Sequence, residues 1–165
     1  MNHSPTKLPT SVSLENHPIP MLILRSRIVQ YTHNIVPKEQ SDILFALSFL
    51  ISVTAIYALV KKQYDIAVIT FAGFLTSINH WNDPKLGFVR NVDLFVVFGG
   101  FAYLCWRANT LNITSSAFWL CLVMVFLLYL VGSHLYEDGY VWLSTLAHCV
   151  LHIFGNGAIV LFCGV

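Results

Sequence analysis

His148 and His152 stand four residues apart in an otherwise apolar C-terminal stretch, the spacing in this chain that points most directly to chemistry. On a helix, residues at i and i+4 project from one face with β-carbons about 6 Å apart, so both imidazoles can reach one cation. A third nitrogen must come from elsewhere, and His80 closes an earlier apolar segment at a compatible depth. Three imidazoles with an open fourth position form the ligand set of a catalytic zinc site, where bound water is acidified to a pKa of about 7. A neutral imidazole also costs less to bury than a carboxylate. Asp93, which opens the next apolar segment, is placed to orient a ligand ring or to take a proton from water.

Each residue also has a plainer role. An i, i+4 histidine pair can serve interhelical hydrogen bonding alone, and His134 is read that way. Asp93 at a helix start is favoured by the helix dipole. Asp83 before Pro84 is a turn residue. Trp81, Trp106 and Trp142 fall at segment ends, where the interfacial aromatic belt accounts for them. A b-type haem held by His80 and one fifth-segment histidine is the remaining cofactor alternative, with H-x-x-x-H supplying one histidine too many.

The elements that must position these groups are read from composition. Of 165 residues, 56% are apolar and 10% charged, against about 25% charged in a soluble domain, so the solvent is a bilayer. A net charge of +1 without a basic patch argues against nucleic acid. The four cysteines, Cys105, Cys121, Cys149 and Cys163, lie in apolar stretches without C-x-x-C pairing and read as packing residues.

The expected fold is all-α, a multi-pass transmembrane bundle over 41–165 behind a polar tail over 1–40. Four prolines among the first twenty residues suit an extended arm. Met21, Leu24, Ile28, Tyr31 and Ile35 recur at spacings of three and four, which predicts either an amphipathic surface helix over 21–36 or a soluble arm. Five spans follow, at 41–60 with Ser41 as N-cap, 64–80, 92–107, 115–133 and 141–163, the second and third near the lower limit for crossing. The second span ends where the third and fifth begin, so His80, Asp93, His148 and His152 fall in one leaflet. No repeated polar stripe is read in the spans, so nothing points to a channel. Lys7, Arg25, Arg27, Lys38, Lys85 and Arg90 on one side, against Lys61, Lys62 and Arg107 on the other, favour a cytoplasmic N-terminus. Asn112-Ile113-Thr114 is a glycosylation sequon too close to the membrane for use.

The run Thr76-Ser77-Ile78-Asn79-His80-Trp81-Asn82-Asp83, then Arg90-Asn91-Val92-Asp93, then His148-Cys149-Val150-Leu151-His152, resembles the CREST superfamily. This group of membrane proteins includes alkaline ceramidases, progestin and adiponectin receptors, GPI-lipid-remodelling proteins and myomaker-like proteins. The resemblance implies Zn2+ on His80, His148 and His152, Asp93 assisting a zinc-activated water, and a Thr76 or Ser77 hydroxyl holding the oxyanion. It also implies a membrane lipid as substrate or ligand, amide or ester hydrolysis, and an endomembrane (ER/Golgi) location in a eukaryote. The family's serine stands four residues before its histidine, where this chain has Thr76, with Ser77 one place later. The family core has seven helices against five here, which leaves the chamber reduced or completed by a homo-oligomer. A non-catalytic member of the same fold, keeping zinc as a clamp or sensing lipid, is the alternative.

Overall fold

The computed structural model describes residues 36–164. The polar tail and all but the last residue of the expected surface helix lie outside the described residues. Five helices account for nearly all of the rest: α1 (Lys38–Val60), α2 (Tyr64–Asn82), α3 (Phe88–Thr110), α4 (Ser116–Glu137) and α5 (Val141–Cys163). The chain is an all-α, multi-pass transmembrane bundle, as the apolar runs require.

Four helices, α1, α3, α4 and α5, are long and apolar enough to cross a membrane. The 19 residues of α2 give a length of about 28 Å, close to the thickness of a bilayer core. This helix falls short of the others in apolarity because its ends carry Asp65, Asn79, His80 and Asn82. Outward-facing side chains such as Val53, Val68, Phe95, Leu120 and Leu146 are apolar and exposed, the surface that lipid tails cover.

The helix ends follow local chemistry. Proline fixes φ and has no N–H to leave unpaired, so Pro37 caps α1. Ser41 therefore lies inside the first turn, its hydroxyl donating to the Lys38 carbonyl at 3.0 Å, and is not the N-cap expected of it. Ser115 does cap α4, accepting from the Phe118 amide at 3.4 Å. Gly87 holds φ at 140°, a value side chains resist, and so starts α3 at Phe88 rather than at Val92. Asp93 consequently sits in the second turn of α3 and not at its tip.

The helices pack side by side in the order α3, α2, α1, α5, α4. Association between helices in lipid relies on close backbone approach and hydrogen bonds. Ala55 and Ala58 of α1 and Ala158 of α5 are buried small residues of that kind. Gly100 of α3 lies so close to α2 that an added β-carbon would stand 2.9 Å from Ile69 Cγ2. Ser144 on α5 donates to the Gly132 carbonyl on α4 at 2.8 Å.

Polar pairs tie α1 to α5. Thr145 donates to Gln40 at 2.8 Å, and the Thr54 hydroxyl donates to the Asn156 side-chain oxygen. Asn156 in turn donates to the His152 carbonyl at 2.7 Å. With His152 between them, Thr145 and Asn156 form a buried polar face on α5. The sequence reading saw no such stripe, because its members differ in type and its partners lie on a distant helix.

The consecutive helices α3 and α4 share core residues Leu104, Ala108, Phe118 and Leu122 near their connecting loop. Beyond that point each turns to a different partner, α3 to α2 and α4 to α5. Phe98 and Tyr129, with ring centroids 5.1 Å apart, bridge the seam between them. An apolar cavity lies among the helices.

Candidate functional site

The last turns of α2 present Thr76, Ser77, His80 and Trp81, the second turn of α3 presents Asp93, and α5 presents His148 and His152. Because α2 runs into α3 through a short loop and α5 packs on α1 beside them, these residues gather at one end of the bundle. Ser77, His80, Asp93 and His152 are buried, and Thr76 and His148 are half-buried.

Asp93 is the best-held member. Thr76 Oγ1 donates to Asp93 Oδ1 at 2.8 Å, and Ser77 Oγ donates to the same oxygen at 3.1 Å. A carboxylate buried in a membrane helix costs several kcal/mol without partners, and charge-assisted hydrogen bonds offset much of that cost. Sequence left the choice between the two hydroxyls open, and the structure uses both. Ser77 is the one that also faces the cavity.

The histidines form a run of aromatic rings. His80 lies 4.5 Å from Trp81 between ring centroids, Trp81 lies 5.1 Å from His148, and His148 lies 5.1 Å from His152. Among the described residues, two histidine nitrogens, His80 Nδ1 and His152 Nε2, are buried without a hydrogen-bond partner, as is Trp81 Nε1. Buried polar atoms in proteins are nearly always paired, so orphan atoms clustered in one place mark a site for a ligand. His148 and His152 are brought together as the i, i+4 spacing requires. The Trp81 ring lies against both His80 and His148, and no three His, Cys, Asp or Glu side chains converge at ligand spacing among the described residues. The donor chemistry nevertheless fits zinc: three imidazoles, two of them with an unpaired buried nitrogen, in an apolar shell.

The cavity beside this cluster has a volume of about 200 Å³. Ser77, Asp93, His148 and His152 form its polar end, with Asn156 deeper in. The walls are otherwise mostly apolar and come from all five helices, α1 through Ile51, and include Phe98 and Tyr129 at the seam. An apolar cavity with a few polar groups gathered at one end is the common form of a small-molecule site.

Two sequence assignments change. Trp81 is not an interfacial belt residue: it is 8% exposed, whereas Trp106 and Trp142 are 58% and 61% exposed. It packs with Val36 and Leu44 and against Cys149, because the helix runs one residue past it and turns the indole inward. His134 makes no interhelical bond among the described residues; it stands exposed and 3.4 Å from Asp138, one turn on. At the opposite end of the bundle, Asp65 on α2 accepts from Tyr103 at 2.7 Å and from Arg107 at 2.9 Å, both on α3. That cluster carries no sequence signal, since its partners lie about forty residues apart. Asp83 ends α2 at the turn and pairs with Lys85 at 2.6 Å, and the four cysteines are free thiols.

No family model, no curated protein and no solved structure matches this chain.

Proposed function

We propose that the chain is a zinc-dependent intramembrane hydrolase that cuts an amide or ester bond of a membrane lipid, in the manner of the ceramidase-like proteins its motifs resemble. One observation carries the reading. A carboxylate held by two hydroxyls opens, together with two histidines, onto an apolar cavity inside a membrane bundle.

His80, His148 and His152 are the residues that would hold the ion, which supplies Lewis acidity to polarise an acyl carbonyl and acidify water. The cavity takes the acyl chain and leaves the carbonyl at its polar end, and the gap between α3 and α4 gives a route from the bilayer. Asp93 accepts the proton of the attacking water and passes it to the departing amine or alkoxide as the C–N or C–O bond breaks. Thr76 and Ser77 hold and aim that carboxylate. When Asp93 takes the proton it becomes a weaker acceptor, which releases the Ser77 hydroxyl to donate to the oxyanion forming in the cavity. Both hydroxyls therefore serve the reaction, but in sequence.

A second reading has its own support. The three imidazoles do not converge here and both hydroxyls are committed to Asp93, which suits a non-catalytic lipid-binding protein with zinc as a clamp. Positive-inside counting favours a cytoplasmic N-terminus and so puts the histidine cluster on the cytoplasmic side, in an endomembrane such as ER or Golgi in a eukaryote. Incubation of the purified protein with ceramides and glycerolipids, followed by mass spectrometry of released fatty acid, separates the two readings. Release by wild type and not by His152→Ala supports the hydrolase; zinc content without release supports the clamp.

A further inference from the structure

Trp81 is the member of the cluster that no proposed step uses. Its indole ring lies 4.5 Å from the His80 ring and 5.1 Å from the His148 ring, between centroids. It is lodged among Val36, Leu44, Phe45 and Cys149, at a helix end where a tryptophan ordinarily seeks the interface. Its Nε1–H, a donor that can do nothing but donate, is buried without an acceptor among the described residues. The neighbouring His80 Nδ1 is orphaned as well.

We infer that Trp81 is a positioning latch, holding the histidine of α2 apart from the pair on α5 until its indole turns out of the gap. This inference rests on the zinc reading of the same cluster. One motion relieves both orphan atoms. Turned toward the membrane surface, the indole N–H reaches water or a lipid headgroup, and the space it leaves lets His80 approach His148 and His152. The backbone permits it: Trp81 is the second-last residue of α2, and the Asp83 that ends the helix makes no capping hydrogen bond among the described residues. An aromatic wall that only packs against ligands would behave differently, since its removal loosens the site. Removal of a latch tightens binding, because the ion no longer has to displace the closed state.

The test uses the full chain in detergent, with zinc affinity measured by competition against a chromogenic chelator for wild type, Trp81→Phe and Trp81→Ala. The emission of Trp81 is obtained as the difference between wild-type and Trp81→Phe spectra, before and after zinc is added. The latch predicts zinc affinity in Trp81→Ala higher by roughly tenfold, and a red shift of the Trp81 emission on zinc addition. Should Trp81→Ala not fold, the emission difference decides alone. Zinc bound with Trp81 emission unchanged, or affinity lower in Trp81→Ala, overturns the latch while leaving the zinc site standing. Zinc bound by none of the proteins overturns both.

Discussion

The Thr76 hydroxyl on α2 donates to the Asp93 carboxylate on α3 across 2.8 Å, joining the two helices at the end of the bundle where the histidines gather. Ser77 adds a second bond to the same oxygen at 3.1 Å. Two donors on one carboxylate oxygen lower the cost of a charge in a place that disfavours it, and they fix where the carboxylate points. A carboxylate so held can accept a proton from water at the cavity's polar end, the role the proposed hydrolysis assigns to it.

Asp93→Asn keeps the size of the side chain and removes the base. Turnover on a lipid substrate is expected to fall by about 10²–10⁴-fold. Zinc content is expected to stay at the wild-type level, because Asp93 is not among the three histidine ligands. Loss of zinc together with activity would make Asp93 a ligand instead.

Ser77→Ala and Asp93→Ala are expected to be non-additive in stability. Each alone breaks the Ser77–Asp93 bond, so the two losses together fall short of their sum. Hydrogen bonds between membrane helices are worth about 0.5–2 kcal/mol, which sets the size of the coupling. Unfolding in mixed micelles of wild type, both single variants and the double variant measures it, and additive effects would show the contact to be inert.

Gly100→Ala is expected to destabilise the bundle by about 1–3 kcal/mol, the usual cost of overpacking. The new methyl would meet Ile69 Cγ2 at 2.9 Å, and that atom sits on a β-branched side chain with little freedom to move. Ile69→Ala removes the obstructing atom, so the double variant should recover part of the loss relative to Ile69→Ala alone. Thermal unfolding of the three proteins checks this.

Tyr103→Phe and Arg107→Ala probe the far end, where both residues donate to Asp65. The ion pair is about a third exposed on each side, so Arg107→Ala is expected to cost at most about 1 kcal/mol. Zinc binding and turnover should be unchanged in both variants. A large loss of either would mean that this cluster is coupled to the histidine end.

The five helices were legible because a long apolar run has few other uses, and each expected span lies within an observed helix or within one residue of its cap. Asp93 and the histidines were legible as a group because helix order alone puts them at one end. Exact starts were not: Pro37 and Gly87 each set a helix start several residues ahead of Ser41 and Val92. Nor was Trp81, since a tryptophan at a segment end faces the interface or the core according to neighbours that a single chain does not reveal. The same limit hid the partners of Asp65, and of Thr54 and Asn156, which are set by packing across distant helices. The open seam between α3 and α4 is a property of which helices choose each other, and periodicity does not record that.

The central claim is that the histidines of α2 and α5 hold zinc. Elemental analysis of the detergent-purified wild type beside a His148→Ala/His152→Ala variant tests it most directly. The account predicts zinc near one ion per chain in the wild type and none above background in the variant. Equal metal in both, or none in either, would contradict it and leave the histidines as packing residues.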